Sequence, residues 1–282
     1  MPFETRPQGH RSSTGPEADI PVKKCFPLRE IRQNCGKVFI TGFGPGDPDL
    51  LTVKALKTMQ LADIIYYDDL INKAFITRFA CEKVYVGKRK DNCSKTQDEI
   101  NNLMYHSAIK GMSVVRLKGG DPCIFGRGGE EYDFLRERFI EVEIIPGISS
   151  AFAAAASIGL AFTQRGIASS VSFCTAHDTE KIPVPNTDTI VYYMGASNLK
   201  EIARKIKLSG RDPQTQVVLI QNVSVMDQKT IYTSLSEIEN NPPEIGSPLL
   251  IIVGNLKRGT QADKWLNCQV PEMENQNLQE VY

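Results

Sequence analysis

From Lys37 onward, short apolar runs rich in β-branched residues alternate with longer amphipathic stretches, and this alternation narrows the possible folds more than any other feature. "KVFIT" (37–41), "DIIYY" (63–67), "KVYV" (83–86), "SVVRL" (113–117) and "VEII" (142–145) read as strands covered on both faces. The segments between them read as helices. "TVKALKTMQLA" (52–62) sets Val53, Leu56, Met59 and Leu61 at near-helical spacing behind Thr52 as N-cap. "TQDEINNLMYHSAIK" (96–110) opens with Thr96 and Glu99 spaced as a capping box. Apolar strands separated by helices imply parallel βαβ units with helices on both faces of a sheet.

The second half repeats the pattern less regularly, with "SVSFCT" (170–175), "TIVYYM" (189–194), "QVVLIQ" (216–221) and "PLLIIVG" (248–254). The alanine-rich "SSAFAAAASIGL" (149–160) suits close packing and marks the junction. The expected fold class is α/β, with two tandem α/β domains and mostly parallel sheets. The expected domains are 37–148 and 149–258, flanked by a mobile tail (1–36) and a polar tail (259–282). The first tail is rich in Pro, Gly, Ser and charge and lacks an apolar h-region, so it does not read as a secretory signal. Its Arg and Ser content leaves organelle targeting open, although Glu4, Glu17 and Asp19 count against it.

Lys+Arg and Asp+Glu each total 33, so no overall field draws the chain to nucleic acid or an anionic membrane. No apolar run approaches the roughly 18 residues of a membrane span. The 7 cysteines are scattered without CxxC or zinc spacing, which fits reduced thiols in the cytoplasm and no metal site.

In a parallel sheet, ligands bind beyond the carboxyl ends of the strands. The loops expected there are "GFGPGDPDLL" (42–51), "DDLI" (68–71), "GKRKDNCSKTQ" (87–97), "KGGDPCIFGRGG" (118–129) and "PGISSA" (146–151). The second half adds "TAHD" (175–178), "MGAS" (194–197) and "NVSV" (222–225) at the same edge. The first loop is no phosphate fingerprint: Asp47 stands where a third glycine belongs, and no G-K-[S/T] follows. Asp47 and Asp121 would repel a pyrophosphate and suit a ligand carrying positive charge.

"VFITGFGPGDPDLLTVKAL", "YVGKR", "VVRLKGGDPCIFGRGGEE", "IIPGISSAFAAAASIGL" and "YYMG" follow the order and spacing of the tetrapyrrole methylases, and the chain resembles that family over residues 37–254. The resemblance implies an active site in the cleft between the two domains, with an S-adenosyl-L-methionine site at Pro45, Gly119, Gly120, Asp121, Ile124, Ser149, Ser150, Met194 and Val223. It implies transfer of methyl groups from two S-adenosylmethionines to C2 and C7 of uroporphyrinogen III, giving precorrin-2 for sirohaem or cobalamin. The family's base falls on Asp68 and its proton donor on Lys88. A substrate with eight carboxylates calls for cations, and Arg89, Lys118, Arg127 and Arg165 stand in or near the loops. The resemblance also implies a homodimer, and the short stretch before residue 37 leads to the expectation of a separate dehydrogenase/ferrochelatase downstream.

The family's Asp-Arg-Leu-Val after the second strand is here Asp68-Asp69-Leu70-Ile71, which leaves the base open between Asp68 and Asp69. Two other readings stay open: a methylase of the same family with a different acceptor, and a protein that binds S-adenosylmethionine without turnover.

Overall fold

The computed structural model describes residues 35–87 and 95–256. Lys88 and Arg89 lie outside these residues, as do nearly all of both expected tails.

The first half is a five-stranded sheet of β1 (Lys37–Gly44), β2 (Ile64–Tyr67), β3 (Glu82–Tyr85), β4 (Val114–Gly119) and β5 (Glu141–Ile145). The order is β3-β2-β4-β1-β5, and every pair is parallel. Its helices are α1 (Val53–Gln60), α2 (Lys73–Ile76), α3 (Gln97–Ile109) and α4 (Gly128–Arg136). Alternate strand residues serve opposite faces. Val38, Ile40, Tyr66 and Val114 pack with Met104 of α3 and Leu135 of α4. Phe43, Ile65, Val115 and Leu117 pack with Met59 of α1 and Phe75 of α2. Each fully buried side chain of this size contributes about 1.5–3 kcal/mol.

The helix starts follow the sequence closely. Thr52 Oγ1 accepts the Ala55 amide at 3.1 Å, and Thr96 with Glu99 forms a complete capping box. The buried face of α1 differs from its apolar spacing. Ala55, Thr58 and Met59 point inward, whereas Val53 and Leu61 are exposed at the two ends of the helix.

The second half holds α5 (Ser150–Ser157), β6 (Val171–Thr175), β7 (Thr189–Tyr193), α6 (Leu199–Leu208), β8 (Gln216–Gln221), β9 (Lys229–Ser234), α7 (Leu235–Asn240) and β10 (Leu249–Gly254). The α/β class stands, but the expectation of mostly parallel sheets fails for this half. In the order β6-β7-β10-β8-β9, only β6 and β7 pair in parallel; the other three pairings are antiparallel. A strand covered on both faces is apolar whichever way its neighbour runs, so its sequence does not carry direction. The edge strand β9, "KTIYTS", is polar enough to escape notice.

One face of this sheet meets Ile202 and Ile206 of α6 and Leu235 and Ile238 of α7. The other meets Ala151 and Ala154 of α5, whose small side chains let the helix pack near Val191, Val218 and Ile252. The alanine-rich helix therefore packs with the second sheet, although it follows directly on β5.

Candidate active site

Three backbones converge beyond the carboxyl ends of β1, β4 and β5. Gly120 donates its amide to the Gly44 carbonyl at 2.7 Å, and the Gly44 amide returns a bond to the Gly120 carbonyl at 3.2 Å. A Cβ on Gly147 would press on the Gly120 carbonyl and lie 2.8 Å from Gly42 Cα. Gly120 itself is left-handed, with φ of 70°. Glycine is required because the three chains approach closer than any side chain permits. Asp121 fixes the arrangement: its Oδ2 accepts the Gly147 amide at 3.0 Å and its Oδ1 the Cys123 amide at 2.8 Å.

The second sheet closes on the same edge. At Gly46 a Cβ would meet Val225 Cγ1 at 2.7 Å, so the loop after β1 touches the loop after β8. Pro45 and Val223 are thereby brought together, with Val223 buried. Ser149 stands at the N-cap of α5 yet makes no capping bond, because its hydroxyl lies 2.7 Å from the Tyr193 hydroxyl. Ser150 follows as the first residue of α5. Burial pushes the Tyr193 phenol up. The Phe125 ring packs at a tilt of 54° against Tyr193, 5.0 Å between centroids.

Strained backbone gathers here too. Among the described residues, Phe125, Arg127, Met194, Asn222 and Ser224 have φ between 53° and 63°, and the only other such non-glycine residue is Phe139. Left-handed non-glycine residues cost on the order of 1–3 kcal/mol each and persist where the surroundings hold them. The strain leaves two large apolar side chains open, with Met194 50% exposed and Phe125 41% exposed.

A charged cluster lies under one side of this edge. Parity along the strands puts Tyr66 and Asp68 on one face of the sheet, with Arg116 and Lys118 of β4 on the same face. Arg116 Nη2 donates to Asp68 Oδ2 at 3.2 Å, and its Nε donates to Glu131 Oε1 at 3.3 Å. Lys118 Nζ and Gln97 Nε2 reach the same Glu131 oxygen at 2.9 and 3.0 Å. Desolvation, and then the charge of Arg116, pushes the Lys118 ammonium down. Asp69 turns elsewhere: the Tyr85 hydroxyl donates to its Oδ2 at 2.6 Å, and Lys73 lies 3.8 Å from its Oδ1.

The sequence-derived positions thus divide. Pro45, Gly120, Asp121, Ile124, Ser149, Met194 and Val223 lie on the loops at one edge, with Ser150 at the adjoining start of α5. Gly119 packs beneath it, since a Cβ there would meet Leu70 Cβ at 2.7 Å. Lys118 needs correction as a substrate anchor: it is buried and its ammonium is held by Glu131. Arg127 is exposed and forked onto Glu130 at 2.9 and 2.6 Å. Arg165 is exposed, with no ion-pair partner among the described residues. Arg116 and Glu131 were missed, although the signal was present. A charge inside an apolar strand covered on both faces must find a buried partner.

Residues 37–239 match the family described as Tetrapyrrole (Corrin/Porphyrin) Methylases, and the chain belongs to that family. It is 42% identical over 259 residues to the uroporphyrinogen-III C-methyltransferase of Bacillus subtilis (strain 168), covering 87% of this chain and 99% of that protein. It is also 42% identical over 272 residues to the siroheme synthase of Pseudoalteromonas atlantica, covering 93% of this chain but only 58% of that longer protein. Among solved structures, the uroporphyrin-III C-methyl transferase of Thermus thermophilus complexed with S-adenyl homocysteine is similar at a TM-score of 0.67 and 33% identity. That likeness covers 78% of this chain and 92% of the other.

Proposed function

We propose that this protein transfers methyl groups from two S-adenosylmethionines to C2 and C7 of uroporphyrinogen III, producing precorrin-2 for sirohaem or cobalamin. The observation that carries this reading is the match to 99% of the length of the Bacillus subtilis uroporphyrinogen-III C-methyltransferase.

The edge fits S-adenosylmethionine. Gly120 lets a ligand approach backbone closely, Met194 and Ile124 offer apolar contact, and Ser150 and Pro45 line the neighbouring loops. Bound there, S-adenosylmethionine supplies an electrophilic methyl group to an electron-rich pyrrole carbon. Asp121 fastens the β4 and β5 loops, each of its oxygens accepting one backbone amide. Holding two reactants in line can lower a barrier by roughly 7–11 kcal/mol.

Asp68 is the proposed base. Its Oδ1 accepts the Leu70 amide at 3.2 Å and its Oδ2 is held by Arg116, which leaves lone pairs for a proton from the methylated ring. The companion proton donor is Lys88. Substrate carboxylates fall to Arg89, Arg127 and Arg165. The exposed Arg127–Glu130 pair stabilises by about 0–1 kcal/mol at most, so Arg127 can exchange Glu130 for a substrate carboxylate at small cost. The proposal also treats 37–148 and 149–258 as the two working units, with the enzyme a homodimer in the cytoplasm. Dehydrogenation and iron insertion would complete sirohaem. No helix among the described residues is long and apolar enough to cross a membrane.

The test is anaerobic incubation with uroporphyrinogen III generated in place and isotopically labelled S-adenosylmethionine. A product heavier by two methyl groups is expected. No transfer despite tight binding of S-adenosylhomocysteine would overturn the reading.

A further inference from the structure

The charged cluster beneath Asp68 has one feature that packing alone does not explain. Glu131 is 0% exposed, and its Oε2 has no hydrogen-bond partner among the described residues, while Oε1 receives Gln97, Arg116 and Lys118 together. Burying charged groups is costly, and apolar replacements of buried ion clusters are often neutral or stabilising. The cluster opens to solvent at one member: the Asp68 side chain is 25% exposed, against 5% for Arg116 and 0% for Glu131.

Arg116 links the two acids rigidly. Its Nη1 donates to the Leu117 carbonyl at 2.8 Å and the Tyr66 carbonyl at 3.5 Å, while Nε is taken by Glu131. With the guanidinium plane fixed from three sides, Nη2 points at Asp68 Oδ2 in one orientation. The two anions and two cations leave the cluster without net charge, so none of the four has reason to leave it.

We propose that Arg116 and Glu131 are positioning residues for the reaction. Glu131 holds the Arg116 guanidinium, and Arg116 holds the Asp68 carboxylate in the orientation that accepts the proton. This rests on the assignment of Asp68 as base. Neither residue touches substrate; both act through Asp68.

The full-length protein would be compared with Glu131→Gln, Arg116→Lys, Asp68→Asn and the double variant Glu131→Gln/Asp68→Asn. Gln is close in shape to Glu, and Lys keeps the charge at 116 without the fork that reaches both acids. Each single variant at 116 or 131 should lower kcat by about tenfold to a hundredfold, within the 10²–10⁴-fold that a general base supplies. The KM for uroporphyrinogen III and the Kd for S-adenosylhomocysteine should stay within about twofold, since only an interaction made in the transition state is lost. In the Asp68→Asn background, Glu131→Gln should cost less than about twofold more, because residues acting through one another are not additive. The same fractional loss in both backgrounds would overturn the proposal.

A readout independent of turnover is the crystal structure of Glu131→Gln. The Asp68 carboxylate is expected to leave its orientation toward Arg116, and an unmoved carboxylate would defeat the proposal whatever the kinetics. Inactive wild type would instead overturn the uroporphyrinogen reading, with the crystallographic comparison still deciding this one.

Discussion

Asp121 Oδ2 accepts the amide of Gly147 at 3.0 Å, so one carboxylate fastens the loop after β4 to the loop after β5. Each of its oxygens accepts one backbone amide. Asp121→Ala would leave the Gly147 and Cys123 amides without this partner and cost about 1–3 kcal/mol of stability. It should also weaken S-adenosylhomocysteine binding by about tenfold, read by calorimetry beside thermal unfolding. Unchanged binding would show that the fastening does not matter to the site.

Gly147 and Gly129 give opposite expectations for the same substitution. A Cβ at Gly147 meets backbone of Gly42 and Gly120, which cannot move aside, so Gly147→Ala should fold poorly or lose ligand binding. Nothing lies within 4 Å of a Cβ at Gly129, in the first turn of α4. There alanine should stabilise by up to about 0.5–1 kcal/mol through helix propensity and reduced unfolded-state entropy. Urea unfolding of both variants measures the contrast.

The choice between Asp68 and Asp69 can be made by paired substitutions. Asp69 is engaged by the Tyr85 hydroxyl and lies near Lys73, away from the Arg116 cluster. Asp68→Asn should lower kcat by about 10²–10⁴-fold, and Asp69→Asn by far less. S-adenosylhomocysteine binding should hold in both. The reverse order in labelled-methyl assays would move the base to Asp69.

Asp188 ties stability to pH. Its Oδ2 accepts amides and hydroxyls of both Ser169 and Ser170 at 2.8–3.0 Å, which lowers its carboxyl to about 2 from 3.8. A folded value below the unfolded one stabilises fully above about 3.8, and that stabilisation is lost as pH falls through about 2. Asp188→Asn should therefore melt below wild type at neutral pH, with the gap narrowing as pH falls through that window. A gap independent of pH would place the effect in packing rather than charge.

The strands of the first half were legible because their apolar runs are short, β-branched and bounded by glycine. All five appear within two or three residues of their expected ends. Thr52 and Thr96 announced their helices because an N-cap is a local device, satisfied within three residues. The loop edge was legible for a related reason: a parallel sheet sends every strand's carboxyl end the same way.

Pairing direction, and the partners of buried charges, were decided only in the tertiary structure. "QVVLIQ" and "PLLIIVG" are apolar on both faces whichever way they run, so the antiparallel order β7-β10-β8 was hidden. Lys118 reads as a free cation beside a glycine loop, yet parity and the arrival of α4 bury it on Glu131. Local chemistry sets elements, caps and the residues of the loops. The hydrogen bonds from Arg116 to Asp68 and Glu131 join positions 48 and 15 apart in sequence, and only the packed sheet brings them within reach.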